Sequence, residues 1–177
     1  MILDSGELAG SFFARTAVLI CRHDAEGAFG LVLNRSTGST VGDVLVADLP
    51  EAMRTAPLFM GGPVQPSALS FLHVTDLVPS EEDLMSRVAL GHSLDELLEL
   101  AEAASQTHKF KVFAGYAGWS PGQLENELKR NAWITHPASL DLIFDTPTNE
   151  IWPLILRRKG GWRNRLLAEI PEDPSLN

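Results

Sequence analysis

The run FKVFAGYAGWSPGQLENEL, Phe110 to Leu128, constrains this chain more than any other stretch. Its first half is apolar and rich in aromatic residues, as a strand requires. Its second half carries the marks of a helix start. Ser120 stands at the N-cap position, and Pro121 follows where a missing N–H costs nothing. Gln123 is placed to reach back to the Ser120 amide, completing an S-x-x-Q capping box. Glu125 and Glu127 bring negative charge near the positive helix end. The spacing therefore predicts a strand over Phe110–Tyr116 that turns sharply into a helix over Pro121–Asn131. Gly115 and Gly118 permit backbone conformations that other residues resist, or the close approach of a ligand or another backbone.

Two readings of this turn stand side by side. It is a well-made connection with aromatic packing, or it is a site. A helix start beside glycines offers free amides to an anion, and Tyr116 and Trp119 flank it with amphipathic rings. Gly118-Trp119-Ser120-Pro121-Gly122 also fits the G-x-S-x-G pattern of a nucleophile elbow. Two facts exclude that chemistry. The elbow uses the N–H of the residue after the nucleophile, and Pro121 has none. The expected order is serine, acid, histidine, yet the only acids between Ser120 and His136 are Glu125 and Glu127, on the adjoining helix.

The rest of the chain reads as strands in runs with intermittent helices. Thr16–His23 and Ala28–Asn34 are apolar runs joined by Asp24–Gly27, a hairpin pattern. Thr40 and Asp43 resemble a capping box that opens a short helix from Val41 to about Asp48. Pro50 and Pro57 bracket a connection. Leu58–Met60 and Ala68–Val74 read as strands, with GGPVQPS between them too rich in Gly and Pro for regular structure. Ser80–Arg87 fits no single pattern and allows a strand near Leu84–Val88. Ser93 and Glu96 form a second capping box, and Leu94, Leu97, Leu98 and Ala101 follow helical spacing to about Ser105. Ala132–Thr135 reads as a strand and Leu140–Phe144 as an apolar segment. Thr148 opens a helix that Pro153 can kink and that ends near Gly160. Such an order favours α+β over a doubly wound sheet.

Composition excludes several function classes. A chain of 177 residues suits one domain and buries about 70% of its unfolded surface without needing a metal or disulfide. The net charge of −9 disfavours non-specific nucleic-acid binding. A single cysteine, Cys21, excludes an internal disulfide and reads as a small buried hydrophobe. The N-terminus lacks the pattern of a signal peptide, and no apolar run is long enough to span a bilayer, so a cytoplasmic protein without membrane contact is expected. The histidines His23, His73, His92, His108 and His136 show no metal-ligand spacing. No metal, cofactor or catalytic residue is expected.

AGYAGWSPGQLENEL, with GLVLNR at Gly30–Arg35, GGPV at Gly61–Val64 and LIFDT at Leu142–Thr146, resembles the YqgE/AlgH family of bacterial proteins. The pieces occur in the family's order from about Phe12 to Arg158. Ser120 stands where the family often has glycine, and Ser36 where it often has proline. The resemblance implies a bacterial cytoplasmic protein of α+β fold. In it a bent or bifurcated, mainly antiparallel sheet closes into a pseudo-barrel flanked by helices. A single such domain would occupy residues 1–168, with 169–177 an irregular tail. A transcriptional-regulator label tied to alginate production travels with the family, but this sequence shows no helix-turn-helix, zinc spacing or basic recognition helix.

Candidate residues follow from the turns. Asn34 and Arg35 end a strand, where loops carry function and an arginine can hold an anion bidentately. Gly61 and Gly62 form a second glycine turn. These, with Tyr116, Gly118, Trp119 and Gln123, are expected to meet at one rim and bind a partner protein or a small anionic ligand. A non-enzymatic regulatory or adaptor role fits this set; an enzyme at the same rim is the alternative. Arg157, Arg158 and Arg163 form a basic cluster that a helix C-terminus accounts for. Nucleic-acid binding through them, in a regulator, is the second alternative.

Overall fold

The computed structural model describes residues 1–75, 87–103 and 109–171. In chain order these form β1 (Ile2–Asp4), β2 (Ala17–Asp24), β3 (Gly27–Val32), β4 (Ser36–Thr40), α1 (Val41–Val44), α2 (Glu51–Arg54), β5 (Pro57–Met60) and β6 (Val64–Val74). Then follow β7 (Val88–Gly91), α3 (Leu94–Ala103), β8 (Phe110–Trp119), α4 (Gln123–Lys129), β9 (Trp133–Thr135), a π-helix (Asp141–Asp145), α5 (Thr148–Lys159) and α6 (Trp162–Glu169). The α+β expectation holds: among the described residues nine strands make one mixed, mostly antiparallel sheet, in which β5 and β8 are the parallel pair.

The sheet forks at β8. Residues Val112–Ala114 pair with β5, and Phe110–Ala114 pair with β6. Farther along, Ala117–Trp119 pair with Gly30–Ala28 of β3, and the sheet continues through β2 and β1 to β9. Bifurcation is therefore present, but the pseudo-barrel is not. The path ends at β4 on one side and β9 on the other, and these do not pair.

Gly115 is the pivot, with φ +70. Before it Phe113 faces the core under the π-helix and α5, while Val112 faces the cluster under α1, α2 and α3. After it Tyr116 joins the Phe113 side, and Ala117 and Trp119 join a third cluster with Leu124 of α4 and Trp133 of β9. One left-handed residue thus shifts the in–out alternation by one position. Before the irregularity between Ile20 and Arg22, the β2–β3 pair alternates regularly: Leu19, Leu31 and Leu33 face α5, and Val18 and Val32 face α4.

Gly61 and Gly62 explain why the GGPV turn is so tight. Gly61 N donates to Ala114 O (2.9 Å), and Gly61 O accepts from Val32 N (2.9 Å). A Cβ on Gly62 would stand 2.1 Å from the Tyr116 carbonyl. Both glycines are buried. Regular structure then resumes at Val64, which pairs with Tyr116, before the ladder is interrupted as far as Leu69. The irregular GGPVQPS expectation thus fails at its second half.

Several elements were not expected: β1, β4, α2 and α6. The β2–β3 hairpin, β5, β9 and α5 fall where expected, α5 ending at Gly160 with φ +71. The capping box before α3 is formed, Glu96 N donating to Ser93 Oγ (3.1 Å) and Ser93 N to Glu96 Oε2 (3.4 Å). Residues 104–105 of that expected helix, residues 84–86 of the strand allowed near Leu84–Val88, and the tail beyond Pro171 lie outside the described residues. The Leu140–Phe144 segment is the π-helix, with Leu142 and Ile143 fully buried.

Candidate functional site

A large hollow opens at the fork, where the end of β8 parts from the start of β6. It measures about 820 Å³ and is lined by Phe29, Val64, Gln65, Ser70, His92, Tyr116 and Gly118 to Pro121, among others. Its floor is aromatic. The Phe29 and Tyr116 rings lie 5.1 Å apart, and the His92 ring meets Phe29 edge-on at 5.9 Å. On the β6 wall, Ser70 Oγ and His92 Nδ1 share a hydrogen bond of 3.0 Å. Arg22, paired with Asp24 at 3.3 Å, stands at the mouth. Among the described residues, Gly118 pairs with a strand on one side only and is exposed, while Ala117 and Trp119 are buried, so β8 presents exposed backbone beside the hollow at that one residue.

The turn after β8 differs in detail from its sequence reading. The helix starts at Gln123, not Pro121, and its N-cap is Gly122 with φ +74. Ser120 is exposed and supplies no capping bond. The other half of the expected box is present: Ser120 N donates to Gln123 Oε1 (3.1 Å), and Gln123 N donates to Ser120 O (3.0 Å). Those bonds take two of the amides that an anion would have used, and Pro121 has none.

Trp119 is not a rim residue in its side chain. It is 6% exposed, its ring stacks on Phe13 at 6.1 Å, and its Nε1 donates to Glu127 Oε2 (2.9 Å). Glu127 also accepts from Trp133 Nε1 (2.7 Å) and Gln123 Nε2 (3.0 Å). Burial pushes this carboxyl up, but the hydrogen bonds from Trp133, Gln123 and Trp119 outweigh it and hold its pKa below the ordinary value. Glu127 thereby clamps α4 to β8 and β9.

The expected single rim divides into three places. Tyr116, Gly118 and the backbone of Trp119 belong to the cleft, with Gln123 in the turn beside it. Gly61 and Gly62 lie buried against β8. Asn34 and Arg35 line a separate hollow of about 140 Å³ with Arg15 and the start of α5. Asn34 accepts from Ala17 N and donates to Arg15 O, each at 2.9 Å. Arg35 donates to Phe12 O (3.2 Å) and Ala14 O (2.9 Å).

Phe29, His92, Ser70 and Arg15 were not singled out from the sequence. Phe29 carried one readable signal, an aromatic residue inside the apolar run AFGLVLN that pairs with the glycine-rich strand. Nothing local marks the others, because their partners are distant in the chain.

The Ser70–His92 pair is the nearest approach to nucleophile chemistry, and its geometry does not support it. In the serine triad the base faces serine through Nε2 while an acid holds Nδ1. Here Nδ1 faces Ser70, and among the described residues no carboxylate contacts Nε2. The two residues lie next to the Phe71–Gly91 pair of β6 and β7, where a cross-strand hydrogen bond is ordinary. Cys21 is also unreactive: burial pushes its thiol up to about 12. Among the described residues no three His, Cys, Asp or Glu side chains are grouped to hold a metal, and no helix is long and apolar enough to cross a membrane. In the basic cluster, Arg157 pairs with Glu150 (2.9 Å), Arg158 approaches Asp141 (3.9 Å) and Arg163 pairs with Glu7. These carboxylates reduce the field that cluster offers to a phosphate backbone.

Comparison with known proteins places this architecture. The chain is 35% identical to a protein of Chlorobium luteolum named UPF0301 protein, over 100% of this chain and 93% of that one. A UPF0301 protein of Chlamydia pneumoniae is 30% identical, with coverages of 100% and 94%. The solution structure of the AlgH protein of Pseudomonas aeruginosa superposes with a TM-score of 0.73 at 32% identity, covering 97% of this chain and 93% of that one. A crystal structure of a Corynebacterium diphtheriae protein matches with the same TM-score of 0.73 at 23% identity, covering 96% of this chain and 90% of that one, which shows the fold alone. The AlgH-like family profile matches residues 1–164, and the chain belongs to that family.

Proposed function

We propose that this protein is a non-enzymatic adaptor that takes an extended segment of a partner protein into the cleft at the fork of its sheet. The observation that carries the reading is the exposed backbone of β8 at Gly118, paired on one side only, beside a hollow floored by Phe29 and Tyr116. An unpaired strand edge offers a row of amides and carbonyls that another strand satisfies. The adjoining aromatic floor offers apolar area for alternate side chains of that strand, which is how strand addition acquires specificity. Catalysis would require a base and an orienting group converging on a nucleophile, and the cleft's Ser70–His92 pair lacks the second.

Gly118 supplies the test. Its φ is ordinary, and a Cβ there would meet only the Tyr116 ring, at 3.3 Å. Gly118→Leu therefore fills the cleft from its wall and leaves the core intact. Trp119→Ala is a poorer probe, because it empties a core position. Peptides enriched from a random displayed library on the native protein are expected to bind the Gly118→Leu variant at least about ten-fold more weakly. The melting temperature should stay close to that of the native chain. Equal binding by both proteins, or no enrichment on either, removes the cleft as the site.

A further inference from the structure

The second hollow has a composition unusual for a chain of net charge −9. Two guanidinium groups, of Arg15 and Arg35, line one space of about 140 Å³. Among the described residues neither has a carboxylate partner. Arg15 Nη1 donates to Ile170 O (2.8 Å), and its guanidinium lies over the Trp152 ring at 4.6 Å. Arg35 is held by the Phe12 and Ala14 carbonyls and lies over the Phe12 ring at 5.5 Å. Carbonyls and ring faces orient these cations without cancelling their charge. By contrast Arg22, Arg54, Arg157, Arg158 and Arg163 each face a carboxylate. Asp4, the acid bonded to this loop, is occupied by the amides of Gly6, Leu8 and Arg15.

Arg15 is also held in a left-handed conformation, φ +58, by Asp4 on its N–H and Asn34 on its carbonyl. Such a conformation in a non-glycine residue is strained and persists only where the surroundings impose it. Opposite, Thr148 and Asn149 form the wall at the start of the twelve-residue helix α5, whose first turn no side chain caps. The helix end adds potential of the same sign as the arginines, and the carboxylate of its first turn, Glu150, is paired with Arg157 at 2.9 Å.

We infer that this hollow binds a phosphoryl group. At about 140 Å³ the hollow has room for the five heavy atoms of a phosphate. Arginine forks match phosphate and carboxylate alike, but two of them with a helix start favour a dianion over a single carboxylate. The site stands apart from the β8 cleft, so neither reading depends on the other.

Titration of the full chain with inorganic phosphate at low ionic strength tests this, followed by calorimetry and by NMR shifts of the Arg15 and Arg35 Nε–H signals. Saturable one-site binding in the millimolar range or tighter is expected, with acetate at least about ten-fold weaker. Arg35→Gln should abolish binding, but it also removes bonds to the Phe12–Ala14 loop. Asn149→Asp avoids that problem: Asn149 is exposed in the first turn of α5, where a negative charge suits the helix. That variant should keep or raise the melting temperature while weakening phosphate at least about ten-fold. Glycerol phosphate, run in parallel, separates the sources: binding as tight as phosphate assigns an organic phosphomonoester, and weaker binding assigns the free ion. No saturable binding at millimolar phosphate, unchanged affinity in Asn149→Asp, or acetate binding as tightly as phosphate overturns the assignment.

Discussion

Lys111 shows how a single residue can sit at odds with its surroundings. It lies on β8 opposite Leu72, only 8% exposed, and its Nζ has no hydrogen-bond partner. What stabilises it is the Phe59 ring, whose centroid is 4.7 Å from the ammonium. Burial lowers its pKa to about 8, with a weaker opposing effect from Asp145. An unfolded lysine titrates near about 10.4, so the folded state binds the proton less well than the unfolded state. The penalty is complete below pH about 8 and disappears as pH rises toward about 10.4. Lys111→Met should therefore raise stability by about 1–3 kcal/mol at pH 7. The advantage should shrink steadily between pH about 8 and about 10.4. Chemical denaturation of both proteins across that range checks it; an advantage that does not change with pH means that packing, not charge, is the cause. Nothing in the sequence marks this residue, because a lysine in FKVFAG is expected to reach solvent.

At the scale of elements, the decisive feature is the crossing of the β5–β6 connection with β8. Its glycines look alike in the sequence and differ in the structure. Gly62 and Gly115 are in backbone contact, a Cβ on Gly115 standing 2.5 Å from Gly62 O. Neither neighbour is a flexible side chain that can move away, so Gly62→Ala must displace the β8 backbone and should cost about 3 kcal/mol or more. Gly118→Ala, three residues beyond the pivot, should be nearly neutral, within about 0.5 kcal/mol. Equal losses measured by urea denaturation would refute the crossing as the cause. Density of glycine is visible along the chain and suggests one rim. Whether a glycine meets a backbone, a side chain or solvent depends on what folds against it. The capping boxes show the opposite case: Ser93–Glu96 was legible because its partners are three residues apart.

Across the whole molecule, the sheet is held from its first residues. β1 lies between β2 and β9, with Ile2, Leu3 and Asp4 all under 5% exposed. The Asp4 carbonyl accepts from Trp152 Nε1 of α5 (2.9 Å), joining the start of the chain to its end. Removing residues 1–5 would expose the edges of two strands and empty part of two core clusters. The shortened chain should lose more than about 4 kcal/mol and its cooperative melting transition. Circular dichroism on heating decides it, and a melting temperature near that of the native chain would show that β1 is dispensable. β1 escaped the sequence reading because three apolar or acidic residues carry no periodicity; their strand is made by neighbours far along the chain.

The α+β class, the β2–β3 hairpin, the Ser120–Gln123 backbone contact and the family are legible in patterns within a few residues of one another. Local propensity, capping and turn chemistry act over that range, so they can be read without a structure. Only the tertiary structure decided the rest. It left the sheet forked and unclosed, buried Gly61 and Gly62, and moved Arg35 away from Tyr116 to stand beside Arg15. The physical reason is the same in each case: close backbone approach, burial and the meeting of charges are set by contacts between distant segments.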